Sequence, residues 1–115
     1  MWIKEEYLAE ILGGRKTVEV RVGYPNIMRL VPGDTLLLND RYEARVLRVA
    51  HYANFAELLA HEDVESIAPG LTSEELAAIL HQIYPPEKEA LGAVALELAV
   101  NKPEEHERQP SDTNT

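Results

Sequence analysis

Gly14-Arg15-Lys16-Thr17-Val18-Glu19-Val20-Arg21 follows a run with the period of a helix and opens a run with the period of a strand. Val18, Val20 and Val22 alternate with Thr17, Glu19 and Arg21. On a strand these two sets point to opposite faces. The valine face is the expected core face. The opposite face then carries a hydroxyl, a carboxylate and a guanidinium in a row, with Lys16 at its entrance. Two cations and an anion beside a turn suit a recognition or catalytic surface. The plain alternative is a Glu19–Arg21 or Glu19–Lys16 ion pair with no ligand.

Upstream of this stretch, Tyr7, Leu8, Ile11 and Leu12 form one apolar stripe, which predicts a helix over 5–12. Glu5 and Glu6 suit its positive end, and Gly13-Gly14 stops it. Downstream, Tyr24-Pro25-Asn26 begins a turn, with one short helical turn over 27–30. Pro32-Gly33-Asp34 is a turn signal, 35–38 a short strand, Asn39-Asp40 a hairpin turn and 42–50 its partner strand. Asn54 caps a predicted helix over 55–61, and 62–71 reads as a loop with Pro69-Gly70 as its turn. Thr72-Ser73-Glu74-Glu75 forms a capping box for a helix over 73–83. A short helix follows Pro85-Pro86, and 93–100 is the last strand, with Val94, Leu96, Leu98 and Val100 on one face. Residues 1–100 are read as one domain and 101–115 as a polar, disordered tail. Strands at both ends and in the middle, without βαβ alternation, predict an α+β fold: a small, mostly antiparallel sheet or partial barrel flanked by short helices.

Composition narrows the functional classes. There is no cysteine, which removes disulfides, thiolate nucleophiles and thiolate-bound zinc. No apolar run is long enough to span a bilayer and the first residues lack a signal-peptide pattern, so a cytoplasmic monomer with no membrane partner is expected. The net charge of −9 is unevenly spread. Residues 1–51 carry +1, 52–101 carry −8 and 102–115 carry −2. Bulk electrostatics therefore oppose nucleic acid, and any RNA contact has to be local, through the arginine-rich first half. The four histidines form no metal-binding spacing; Glu57 and His61 share a helix face, but a solvated pair is the simpler reading. No cofactor is expected: there is neither a P-loop nor a dinucleotide glycine fingerprint.

Gly14, Lys16, Glu19 and Arg21 match the G-x-K-x-x-E-x-R signature of the ASCH domain, and the chain resembles that PUA-like family over about residues 2–100. The resemblance extends to the preceding helix, Pro32-Gly33-Asp34, Ile83-Tyr84-Pro85 and the strand after Leu91-Gly92. It implies a PUA-like β-barrel with a cleft beside the motif, binding RNA or a nucleotide-like small molecule. Gly14, Lys16, Thr17, Glu19, Arg21, Tyr84 and Lys88 are the ligand-binding candidates it brings together. Arg21 and Lys16 would hold a phosphate or base edge, and Glu19 would accept from exocyclic amines.

The alternative function is a small hydrolase, an amidohydrolase on a modified nucleoside or a ribonuclease, with Lys16 and Glu19 catalytic. Amidohydrolases of the wider group pair a lysine like Lys16 with a threonine and a glutamate. Here the threonine position is Glu19, and Glu65 and Glu74 are candidates for the glutamate only by neighbourhood. A third reading is a protein-interaction module using the acidic helices of 55–89.

Overall fold

The computed structural model describes residues 1–101, so the predicted tail lies outside the described residues from 102 onward. The chain runs α1 (Glu5–Leu12), β1 (Val18–Val22), α2 (Pro25–Met28), β2 (Thr35–Leu38), β3 (Tyr42–Tyr52), α3 (Phe55–His61), α4 (Val64–Ile67), α5 (Ser73–Ile83), α6 (Pro86–Glu89) and β4 (Ala93–Val100). The four strands form one antiparallel sheet in the order β1-β4-β3-β2, curled into the half-barrel of a PUA-like fold. The last strand thus lies in the middle, between the first and the third, and β1 and β2 are edges. Among the described residues no helix is long and apolar enough to cross a membrane.

The sheet is covered on both faces. Val18, Val20, Val22, Ala93 and Ala95 pack with Phe55, Leu58, Ile67, Leu76 and Leu80 from α3, α4 and α5. On the other face Val94, Leu96 and Leu98 pack with Val46, Leu38, Ile3, Leu8 and Ile11. The one-sided strand expected for the 17–22 stretch is therefore buried on both sides, and Glu19, on the non-valine side, is only 9 % exposed. The loop expected over 62–71 contains α4, capped by the Asp63 side chain, which accepts from Glu65 N. The short helical turn expected at 27–30 starts earlier, because Pro25 occupies the first helical position. β3 runs to Tyr52, past a bulge between Val46 and Arg48.

Two connections fix the elements that matter later. Asn39, in the β2–β3 turn with φ of 51°, is 3 % exposed. Its amide accepts from Ile3 N (2.7 Å) and donates to Ile3 O (2.7 Å), clasping the segment before α1. At the end of α3, Glu62 takes both terminal nitrogens of Arg48 (2.7 and 3.0 Å) and the hydroxyl of Tyr52 (2.5 Å). Arg48 Nε donates to Glu97 of β4 (2.9 Å), so one guanidinium joins α3, β3 and β4.

The bidentate Arg48 bond, helped by the Tyr52 hydroxyl, holds the Glu62 carboxyl below its ordinary value of 4.5, against the opposing effect of burial. A lowered native value means that Glu62 stabilises the fold fully above 4.5, and that this contribution drains away as pH falls through the native value. Melting temperature measured against pH should therefore drop on the acid side in the native sequence, and Glu62→Gln should be less stable at neutral pH with a shallower acid limb. Equal limbs would remove Glu62 from the acid transition. A second expectation concerns Gly23, where a Cβ would sit 2.5 Å from the Leu91 carbonyl oxygen. Gly23→Ala should cost about 1–3 kcal/mol in denaturant unfolding, because backbone has to give way.

Candidate functional site

A cleft of about 210 Å³ opens along the outer edge of β1. One wall is the N-terminal segment and the start of α1, with Trp2, Ile3, Lys4 and Tyr7; the other is α5 and its end, with Leu76, Ile79, Leu80, Ile83 and Tyr84. Lys16, Glu19, Val20 and Arg21 make the floor. The two walls belong to the two separate cores, and β1 is the edge at which they meet.

Lys16 is 4 % exposed. Its ammonium donates to Val18 O (2.8 Å) and Ile67 O (2.7 Å) and pairs with Glu19 Oε1 at 3.0 Å. An ammonium has three protons, so each has a partner. These bonds tie β1 to the end of α4. Glu19 spends its other oxygen on Arg21: Oε2 accepts from Nε at 2.8 Å and lies 2.7 Å from Nη2. Arg21 Nη2 also donates to Trp2 O (2.8 Å), holding the first wall to the floor. Its remaining nitrogen, Nη1, makes no hydrogen bond among the described residues. The floor is thus a linear charge array, Lys16–Glu19–Arg21, whose inner end is closed and whose outer end has donors to spare.

The cleft brings together Lys16, Glu19, Arg21 and Tyr84 from the residues singled out in the sequence. Burial pushes the Tyr84 phenol above its ordinary value of 10.0, partly offset by the Arg21 charge, so its hydroxyl stays neutral across physiological pH. Gly14, Thr17 and Lys88 lie outside the lining. Gly14 holds φ of 82° where α1 terminates. Thr17 lines a second, polar hollow with Arg48, Tyr52 and Glu62. Lys88 sits 5.6 Å over the Tyr24 ring. Glu65 accepts from Gly70 N and, like Glu74, does not line the cleft. Among the described residues no group of His, Asp or Glu is arranged to hold a metal ion.

Sequence reasoning missed the N-terminal wall. Trp2, Ile3 and Lys4 reach the cleft only because Asn39 and Arg21 hold their backbone there. Those contacts span 36 and 19 residues, beyond any local periodicity. The one available signal was a tryptophan two residues before a lysine, at a position no helix pattern demanded.

Lys16→Met should cost about 3–5 kcal/mol in chemical denaturation, because it leaves a buried carboxylate and two buried carbonyls without their donor. A loss below about 1 kcal/mol would mean that water enters and replaces the ammonium.

Hypothetical protein PH0355, known from a crystal structure, is 30 % identical with a TM-score of 0.83, covering 88 % of this chain and 96 % of that one. The solution NMR structure of protein PF0455 from Pyrococcus furiosus is also 30 % identical, with a TM-score of 0.74 over 89 % and 96 % of the two chains. No curated protein matches. The family model of the ASCH domain matches residues 1–104, and with Lys16, Glu19 and Arg21 of the motif on the cleft floor this chain belongs to the ASCH domain family, a family generally linked to RNA binding.

Proposed function

We propose that this protein binds RNA or a nucleotide-derived ligand in the cleft at the edge of β1. The observation that carries the reading is the union, in one cleft, of the Lys16–Glu19–Arg21 array with apolar and aromatic walls. A base has a flat apolar face and a polar edge. Tyr7, Tyr84 and Trp2 supply surface for the face. Arg21 Nη1 supplies donors for an acceptor on the edge or for a phosphate oxygen. Oε1 of Glu19 keeps acceptor capacity beyond its bond to Lys16 and can take an exocyclic amine.

Lys16 contributes by holding the Glu19 carboxylate in place, rather than by touching ligand. The hydrolase alternative draws less support from this geometry. An ammonium caged by two carbonyls and a carboxylate has no proton to move without breaking the floor, and the threonine of the amidohydrolase pattern is replaced by that same carboxylate.

An amide-shift titration with a short single-stranded RNA, then with a nucleoside, tests the proposal. Shifts are expected at 16–21, at 2–7 and around Tyr84. Arg21→Ala should weaken binding by about tenfold or more. It should also unfold at a lower temperature than the native chain, because Trp2 O and Glu19 lose their shared donor. Tyr84→Phe should fold normally and keep most of the affinity. Shifts confined to the acidic faces of α3, α5 and α6 would refute the cleft as the binding site.

A further inference from the structure

Building on the proposed cleft, we infer that it accepts a single nucleoside monophosphate unit, with the base read by the backbone of Val20 and one phosphate held by Lys4 and Arg21. The backbone part follows from strand register. Thr17 O accepts from Leu98 N and Gly23 N donates to Gly92 O, so the odd-numbered residues of this stretch direct their backbone groups towards β4. The even-numbered ones direct theirs outward. Val18 O accordingly accepts from the Lys16 ammonium, and Val22 O from Tyr24 N. By the same alternation Val20, between them on the cleft floor, turns its N–H and C=O away from β4, where among the described residues no loop backbone or side chain bonds them. An adjacent donor and acceptor at a strand edge is a template for pairing. The polar edge of a base, with its own adjacent donor and acceptor, matches it. Trp2 and Tyr84 stand on the two walls of the cleft beside it.

The limit to one unit comes from size and charge. About 210 Å³ falls below the volume of a site for a drug-sized ligand and suits one ring system with its attachments outside. Of the three lining cations, Lys16 has every proton engaged. That leaves Lys4, exposed and without an ion pair among the described residues, and the free Nη1 of Arg21. Together they can neutralise one phosphate. The helices of the two walls carry carboxylates in their first turns, Glu5 and Glu6 in α1 and Glu74 and Glu75 in α5. A chain of phosphates would meet that acidic charge with only these two cations to offset it.

Calorimetric titration of the full chain with the four ribonucleosides, their 5′-monophosphates, and a mixed-sequence RNA octamer with and without a 5′-phosphate tests this, at several salt concentrations. Emission of Trp2, the single tryptophan, offers a parallel readout. At least one monophosphate should bind about tenfold more tightly than its nucleoside. Its affinity should weaken as salt rises, while that of the uncharged nucleoside should change little. Lys4→Gln should narrow the difference, because Arg21 Nη1 alone is then left to face the phosphate. An octamer that binds only with its end phosphate identifies an RNA terminus as the source of the unit, and an octamer that does not bind identifies the free nucleotide; both support the inference. An octamer slope of about −3 or steeper, or equal affinity for nucleoside and monophosphate, overturns it and leaves the cleft reading standing. If no nucleoside, nucleotide or octamer binds, both fall.

Discussion

The buried ammonium of Lys16 is the constraint on which the rest of the site depends. β1 is an edge strand, and an edge strand buried on both faces has outward carbonyls that need donors. Lys16 meets this need by folding back over its own strand. It caps Val18 O, reaches across to Ile67 O and neutralises Glu19. Without a cation there, Glu19 would be a buried carboxylate with one partner and the end of α4 would lose its tie to the sheet. With it, the carboxylate can hold Arg21, and Arg21 can hold Trp2. The order of the array matters: each group is fixed by the one deeper in, so the outermost guanidinium is rigid although it lies near solvent.

This arrangement explains how an acidic protein can offer a cationic spot. The cations of the first half are mostly committed: Arg15 to Glu10, Arg41 to Glu5, and Arg48 to Glu62 and Glu97. The positive character that remains at the cleft is local and small. Recognition in such a place has to rest on shape, stacking and a few directed hydrogen bonds rather than on long-range attraction.

Much of the fold was legible because it is written locally. The capping box at Thr72 appears with both of its bonds, Asn54 caps α3, and the alternation of 93–100 predicts which side chains of β4 share a core. The Lys16–Glu19–Arg21 grouping was also legible, since a period of two puts Glu19 and Arg21 side by side. Burial on both faces was not. Alternation of Val with Thr, Glu and Arg signals a half-exposed strand, and only long-range packing of Ile3, Leu8 and Ile11 against the neighbouring β4 encloses the polar side. Thr17 lies outside the cleft lining for a related reason. It lies at the entry to β1, where its backbone bonds Ser66 and Leu98, and its side chain meets the Arg48 network instead. The Trp2 wall was invisible because a turn 36 residues away holds it.

Ala93 and Ala95 are fully buried on the face of β4 that supports the helices. Ala95 stands opposite Val20 in the register, and α3 packs over β4, with α5 against α3. A methyl group is the smallest side chain that still fills space, so these two positions limit how near α3, and through it α5, can come to the sheet. Since α5 is also the far wall of the cleft, its gauge is decided from behind, at residues no ligand can reach. Families that keep the motif and vary the bulk at these two places would hold the same chemistry in openings of different calibre.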